Sequence, residues 1–259
     1  MDYVAPEAVL DGLVQSGMSK ARLSGGDLLI RGALAGAILG AVTTLSLTAT
    51  MQTGVGLAGA LVFPIGLTMI ALLGLELLTG NFAVVPLAMF EGHTPASSVL
   101  RNWSLVFLGN LLGALAYAGV FFFTVHAHTP IADRLIATAE AKTIAYQALG
   151  TRGMAEVFAK AILCNWMVTL GVVLAFSSNS VAGKAIGMWM PITTFVALGF
   201  EHSVVNMFAI PMGMALGAHV TFSQWWIWNQ IPVTLGNLVG GLLFTGVAYW
   251  ITYRKRAVS

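Results

Sequence analysis

The stretch "LGFEHSVVNMFAIPMG", residues 198–213, sets a carboxylate, Glu201, beside an imidazole, His202, in a run otherwise apolar enough to sit in a bilayer. Ionisable groups at bilayer depth are costly and mark pathways or helix breaks, so the segment has to be explained together with its surroundings. Of the 259 residues 58% are hydrophobic and 8% charged, and mean hydropathy is +0.85. Such values exclude an ordinary soluble domain and imply an all-α integral membrane protein. Crossing about 30 Å of hydrocarbon takes about 20 residues. Six apolar runs qualify, roughly 28–50, 57–90, 100–124, 155–177, 186–218 and 225–252. The second and fifth are too long for one simple span.

Those two long runs resemble each other. "GLELLTGNF" (74–82) and "GFEHSVVNMF" (199–208) share G-x-E-x4-N through Gly74, Glu76 and Asn81 and through Gly199, Glu201 and Asn206, with Pro64 and Pro191 upstream. Further on, "NWSLVFLGNLLG" (102–113) and "NQIPVTLGNLVG" (229–240) share N-x6-G-N-x2-G. Arg31-x4-Gly36 and Lys160-x4-Asn165 form a weaker third match. The repeats therefore span about 28–124 and 155–252. Three spans in each half is an odd number, so the second copy must enter the membrane inverted. In both long segments the glycine, acid and following polar residues read as a helix that stops and restarts. Irregular backbone at that depth is tolerated only inside protein or beside a water-lined cavity. The restarting half-helices would aim their positive ends at the midplane, which favours a small anion.

The start "MDYVAPEAVLDGLVQSG" lacks a basic region followed by an apolar core, so no removable leader is expected. Placing both termini inside puts Lys20, Arg22, Arg31, Arg101, Lys184, Arg254, Lys255 and Arg256 in the cytoplasm, against Arg134, Lys142, Arg152 and Lys160 outside. That bias follows the positive-inside rule. Residues 1–27 form a cytoplasmic segment with a possible gating role, residues 28–252 a single transmembrane channel domain, and residues 253–259 a cytoplasmic basic tail. A net charge of +2 is too small to imply nucleic acid, and the lone Cys164 excludes an internal disulfide or a thiolate metal cluster. No metal or other cofactor is implied.

The equivalence of Glu76 and Glu201 favours a structural task, accepting backbone N–H groups at the two breaks, over carrying protons. His202 has Leu77 as its counterpart, so the fold alone does not demand an imidazole there. A neutral ring would donate a hydrogen bond to a passing anion, and a charged one would attract or protonate it. Thr79 is either a hydroxyl donor to substrate or the N-cap of its half-helix. Asn165 is an intramembrane amide that lines the route or bonds between helices. Phe63, Leu67, Leu78 and Phe195 are either apolar constrictions or ordinary packing. Lys142, in the outer connection "IADRLIATAEAKTIAYQALGTRG", is either solvated or a concentrator of anions.

"ELLTGNF", "RNWSLVFLGNLLGAL", "AILCNWMVTLG", "GFEHSVVNMFAIPMG" and "NQIPVTLGNLVGG" resemble, in the same order, the signatures of the formate/nitrite transporter family, and the resemblance covers nearly the whole chain. It implies an aquaporin-like fold of six spans and a homopentamer in the bilayer of the inner membrane, with one route per protomer for small monovalent anions or their conjugate acids. It maps the central pore histidine onto His202 and the mobile-loop threonine onto Thr79. A cytoplasmic constriction maps onto Phe63 and Leu67 and a periplasmic one onto Leu77, Leu78 and Phe195, where some members have phenylalanine in place of Leu78. The vestibule lysine maps onto Lys142, which lies about seven residues farther from Asn165 than in compact members, as an insertion would produce.

Formate is the first choice of substrate and nitrite the second, with hydrosulfide, acetate or lactate behind. Passage as the neutral acid after proton transfer at His202 would make this formate/proton symport. A water or glycerol channel would share the fold, but its paired Asn-Pro-Ala motifs are absent. One histidine beside one glutamate is too little for a membrane enzyme.

Overall fold

A computed structural model describes residues 2–254 and is helical almost throughout; of the expected tail, residues 255–259 lie outside the described residues. In chain order the elements are α1 (Pro6–Arg22), α2 (Gly25–Thr53), α3 (Gly56–Val62), α4 (Ile65–Leu72), α5 (Leu78–Phe90), α6 (Ala96–Phe122), α7 (Pro130–Ala141), α8 (Ile144–Ala148), α9 (Thr151–Phe176), α10 (Val181–Ala197) and α11 (Ser203–Ala215). A last helix, Phe222–Tyr253, carries two π-helical stretches, Trp226–Gln230 and Leu242–Val247. Among the described residues four helices, α2, α6, α9 and the last, are long and apolar enough to cross a membrane. The remaining apolar helices, Gly56–Leu72, Leu78–Phe90, Val181–Ala197 and Ser203–Ala215, are about half that length. They occur as two pairs, each interrupted where the sequence motifs fall.

Glycine sets how the long helices meet. A Cβ on Gly36 or Gly113 would fall onto the backbone of Asn110 or of Ala33, so α2 and α6 cross at near backbone contact. In the other half Gly236 and Gly240 do the same against Phe158 and Ile162 of α9. Small residues four apart permit this approach, and it is how helices associate where no hydrophobic drive separates them from lipid.

Both breaks are built alike. Gly74 and Gly199 each adopt φ +65, which an L side chain rarely does. Leu75 N then donates to Ile70 O at 3.0 Å, and Phe200 N to Phe195 O at 3.0 Å, closing each incoming helix with a Schellman-type bond. Residues 75–77 and 200–202 are non-helical, and α5 and α11 start at Leu78 and Ser203.

The N-terminal segment is folded onto the bundle. Val9, Leu10, Leu13, Val14 and Gly17 make one buried face of α1, set against α5. Gly17 is needed because a Cβ there would lie 2.5 Å from Val84 O. Its leading end is pinned at the α9–α10 connection: the Asp2 carboxylate accepts from Ser178 Oγ (3.0 Å), Asn179 N (2.8 Å), Ser180 N (2.8 Å) and Ser180 Oγ (2.9 Å). Hydrogen bonds from Ser180 and Ser178 hold this carboxyl below its ordinary value of 3.8.

Candidate functional site

At the first break, Asn110 of α6 reaches across with its whole amide. Its Oδ1 accepts from Leu78 N (3.0 Å) while its Nδ2 donates to Glu76 O (2.9 Å) and Gly32 O (2.8 Å). Asn237 does the same at the second break: Oδ1 takes Ser203 N (2.8 Å), and Nδ2 gives to Glu201 O (2.9 Å) and Ala161 O (2.8 Å). Backbone groups exposed by leaving the helix are thereby satisfied inside the protein, where Leu78, Ser203, Glu76 and Glu201 are buried. The parallel between Gly32 and Ala161 also puts Arg31 opposite Lys160 and Gly36 opposite Asn165, which makes the weak third match of the sequence a structural equivalence.

The glutamates act differently from expectation. Among the described residues neither side chain accepts a backbone N–H; the break amides are taken by the two asparagines, and the carboxylates take side-chain donors instead. Glu76 Oε1 accepts from Lys20 Nζ (2.8 Å) and its Oε2 from Asn81 Nδ2 (2.6 Å). Asn81 in turn donates to Asn102 Oδ1 (2.9 Å), and Asn102 Nδ2 donates to Lys20 O (3.2 Å). In the second half Lys142 Nζ and Asn206 Nδ2 both reach Glu201 Oε2 at 2.8 Å, Asn206 donates to Asn229 Oδ1 (2.8 Å), and Asn229 Nδ2 donates to Lys142 O (2.9 Å). Each buried carboxylate is therefore neutralised by a lysine from outside its long helices, Lys20 on α1 and Lys142 at the end of α7.

Each pair faces a cavity. Lys20, Glu76, Leu67, Leu77 and Asn81 line one of ≈ 260 Å³, the α1 mouth. Lys142, Glu201, Tyr146, Lys160, Glu156 and Arg134 line one of ≈ 550 Å³, the α7 mouth. The α7 mouth holds a further donor in Tyr146, whose hydroxyl gives to Glu201 Oε1 (3.0 Å) and accepts from Lys160 Nζ (3.4 Å). Burial, and then the charge of Glu201, push this phenol far above its ordinary range, so it stays a donor.

Between the mouths the two breaks touch. Thr79 Oγ1 lies 3.2 Å from His202 Nε2, and both side chains are buried. Thr79 is not the N-cap of α5, a place held by Leu77, so its hydroxyl is free of that duty. His202 is the N-cap of α11: its Nδ1 accepts from Val205 N at 3.3 Å. Accepting there leaves the ring proton on Nε2, which points at Thr79. Asn165 Nδ2 donates to Thr79 O (3.1 Å) and Asn237 O (2.6 Å), tying the first break to the second half; its Oδ1 is buried without a partner among the described residues.

The five apolar candidates regroup. The family resemblance pairs Phe63 with Leu67, and Leu77 with Leu78 and Phe195. Phe63 instead meets Phe195 edge-on at 5.8 Å, Phe195 stacks on the His202 ring at 5.8 Å, and Leu67 and Leu77 line the α1 mouth together. The cause is geometric: one helical turn of climb separates Phe63 from Leu67, and the break folds Leu77 back beside Leu67. Leu78 is buried within the same core.

Sequence reasoning missed Lys20, Asn102, Asn110, Asn229, Asn237 and Tyr146 as site residues. All four asparagines stand in the repeated N-x6-G-N-x2-G motif, and their recurrence in both halves was the available signal. Among the described residues there is no cluster of three or more His, Cys, Asp or Glu suited to a metal.

A sequence profile described as "Formate/nitrite transporter" matches residues 7–251. A probable formate transporter from Methanothermobacter thermautotrophicus is 41% identical over 244 residues, covering 90% of this chain and 87% of that protein. Among solved structures, an FNT family ion channel superposes with a TM-score of 0.81 at 25% identity over 95% of this chain and 98% of the other. A pentameric formate channel with formate bound gives 0.74 at 27% identity, covering 89% of this chain and 98% of the other.

Proposed function

Because the chain belongs to the formate/nitrite transporter family, we propose that it carries a small monovalent anion, formate first and nitrite second, across the inner cell membrane. The observation that carries this reading is the meeting of the two breaks at Thr79 and His202 between two lysine-bearing mouths. In this reading the half-length pairs serve as the second and fifth of six spans in an aquaporin-like fold of two inverted repeats. Both termini lie in the cytoplasm, so the α1 mouth is cytoplasmic and the α7 mouth faces out. The protomer assembles as a pentamer, each copy with its own route; the formate-bound channel of similar fold is itself pentameric.

An anion drawn into the positive outer mouth passes Phe63 and Phe195, then meets donors at His202 Nε2 and Thr79 Oγ1 and the start of α11. Leu67 and Leu77 narrow the route toward the cytoplasm, with Leu78 buried beside them. Preformed donors replace part of the water a bare anion must shed, and weak acids gain further because protonation removes the charge altogether. The cap from Val205 N supports a neutral, donating His202 at rest. Proton transfer through the ring would require Nδ1 to give up that cap, so symport would proceed through a transient loosening of the α11 start.

Labelled formate flux into proteoliposomes at external pH 5 and 7, with nitrite as competitor, tests the proposal. Acid-stimulated formate uptake supports weak-acid passage, whereas uptake of nitrite alone reassigns the substrate. Osmotic swelling in water with no anion flux would move the chain to the neutral-solute channels.

A further inference from the structure

The two mouths differ in how the carboxylate is shared. At the α1 mouth lysine and asparagine take separate oxygens of Glu76, Lys20 on Oε1 and Asn81 on Oε2. At the α7 mouth Tyr146 occupies Glu201 Oε1, and Lys142 and Asn206 crowd onto Oε2 together, with Asn229 Nδ2 also 3.4 Å away. Tyr146 is carried by α8, a five-residue helix inserted between α7 and α9. It has a seat prepared for it, since Gly153 leaves room for its backbone, and Val157, Ala161 and Val233 surround its ring.

We infer that Tyr146 is a positioning residue for anion capture: by holding one oxygen of Glu201, it keeps the Lys142 ammonium on the shared oxygen with N–H groups left facing the outer mouth. This rests on the function proposed above. An ammonium has three donors, and only one is used on Glu201 here. Arg134 and Lys160 add positive charge around the same cavity, Glu156 pairs with Lys160 at 2.7 Å, and among the described residues no other tyrosine lines either mouth. If the hydroxyl is removed, Oε1 becomes a buried acceptor without a donor. Lys142 then shifts toward it, as Lys20 sits on Glu76, and its free N–H groups turn from the cavity.

Tyr146→Phe tests this, because phenylalanine fills the same hollow and loses only the hydroxyl. With formate supplied on the α7 side, the half-saturating concentration should rise about three- to tenfold at unchanged maximal rate. With formate supplied on the α1 side it should not move. In the detergent-solubilised protein, acylation of Lys142 by an amine-reactive reagent, read by peptide mass spectrometry, should slow several-fold while Lys20 keeps its parental rate. Parental labelling of Lys142 overturns the inference, as does an equal change at Lys20, which would show general loosening. Slower labelling with unchanged half-saturation overturns the step from lysine to anion. A parent protein with neither formate nor nitrite flux refutes the proposed function, and the labelling comparison then decides the position of Lys142 alone.

Discussion

Thr79 Oγ1 stands 3.2 Å from His202 Nε2 although the residues are 123 positions apart in the chain. The starts of two half-helices from different repeats are thereby set against each other. His202 has a second bond, from Val205 N to Nδ1, that fixes which nitrogen carries the proton.

His202→Phe keeps the ring that stacks on Phe195 and removes both nitrogen functions. The loss of a charge-assisted donor of about 1.5–3 kcal/mol lowers anion flux at neutral pH roughly tenfold or more. Flux of the neutral acid at pH 5 should fall less, and equal kinetics to the parent at both pH values would remove the ring from the route.

Asn110→Ala and Asn237→Ala each strip three hydrogen bonds from a break. Buried groups left unpaired cost about 1–3 kcal/mol each, so both variants should melt well below the parent protein in detergent. Because the networks are equivalent, the two losses should be similar. A large drop for one alone would show that the halves do not share the same support.

Gly113→Ala drives a methyl onto the Ala33 carbonyl and Gly240→Ala one onto Ile162. Both should lower thermal stability and the yield of assembled protein. Gly119→Ala in the same helix as Gly113 meets nothing within 4 Å and should be neutral or stabilising by about 0.5–1 kcal/mol through the cost of helical glycine.

The Asp2 fastening predicts a pH dependence of its own. Its folded carboxyl sits below the ordinary 3.8 because hydroxyls and amides of Ser180, Ser178 and Asn179 donate to the charged form. A depressed carboxyl stabilises above its ordinary value and loses that contribution as pH falls through the folded value. Protection of the Val4 amide, which donates to Ser177 O, should therefore be constant from pH 7 to 5 and decline only below 3.8. Asp2→Asn should show the weaker protection throughout, read by hydrogen exchange.

Much of this architecture is legible in the residues. Long apolar runs reveal the membrane, and the pairing of Glu76 with Glu201 and Gly74 with Gly199 locates both breaks to within a few positions. The role of the glutamates is not legible, because a carboxylate beside a break looks the same whether its donors are amides of the chain or distant side chains. Lys20 is 56 positions from Glu76 and sits in the N-terminal segment before the first apolar run, so nothing local joins them. Lys142 is 59 positions before Glu201, and only the fold brings its ammonium onto that carboxylate. The regrouping of Phe63 with Phe195 is likewise invisible to any periodicity, since it depends on where a broken helix sends the chain next.

The fastening of Asp2 to Ser178 has a consequence in time. The carboxylate is made 176 positions before the hydroxyl that receives it, and Pro6 O waits 243 positions for Tyr249 OH. At about 5–20 residues per second of synthesis, Asp2 spends roughly 10–35 s without its partner. During that interval α1 can lie on α5 but cannot be locked at its leading end, which waits until α9 has been made. The order of manufacture thus makes two later pieces, the α9–α10 connection and then the last helix, the events that complete the seating of the first helix.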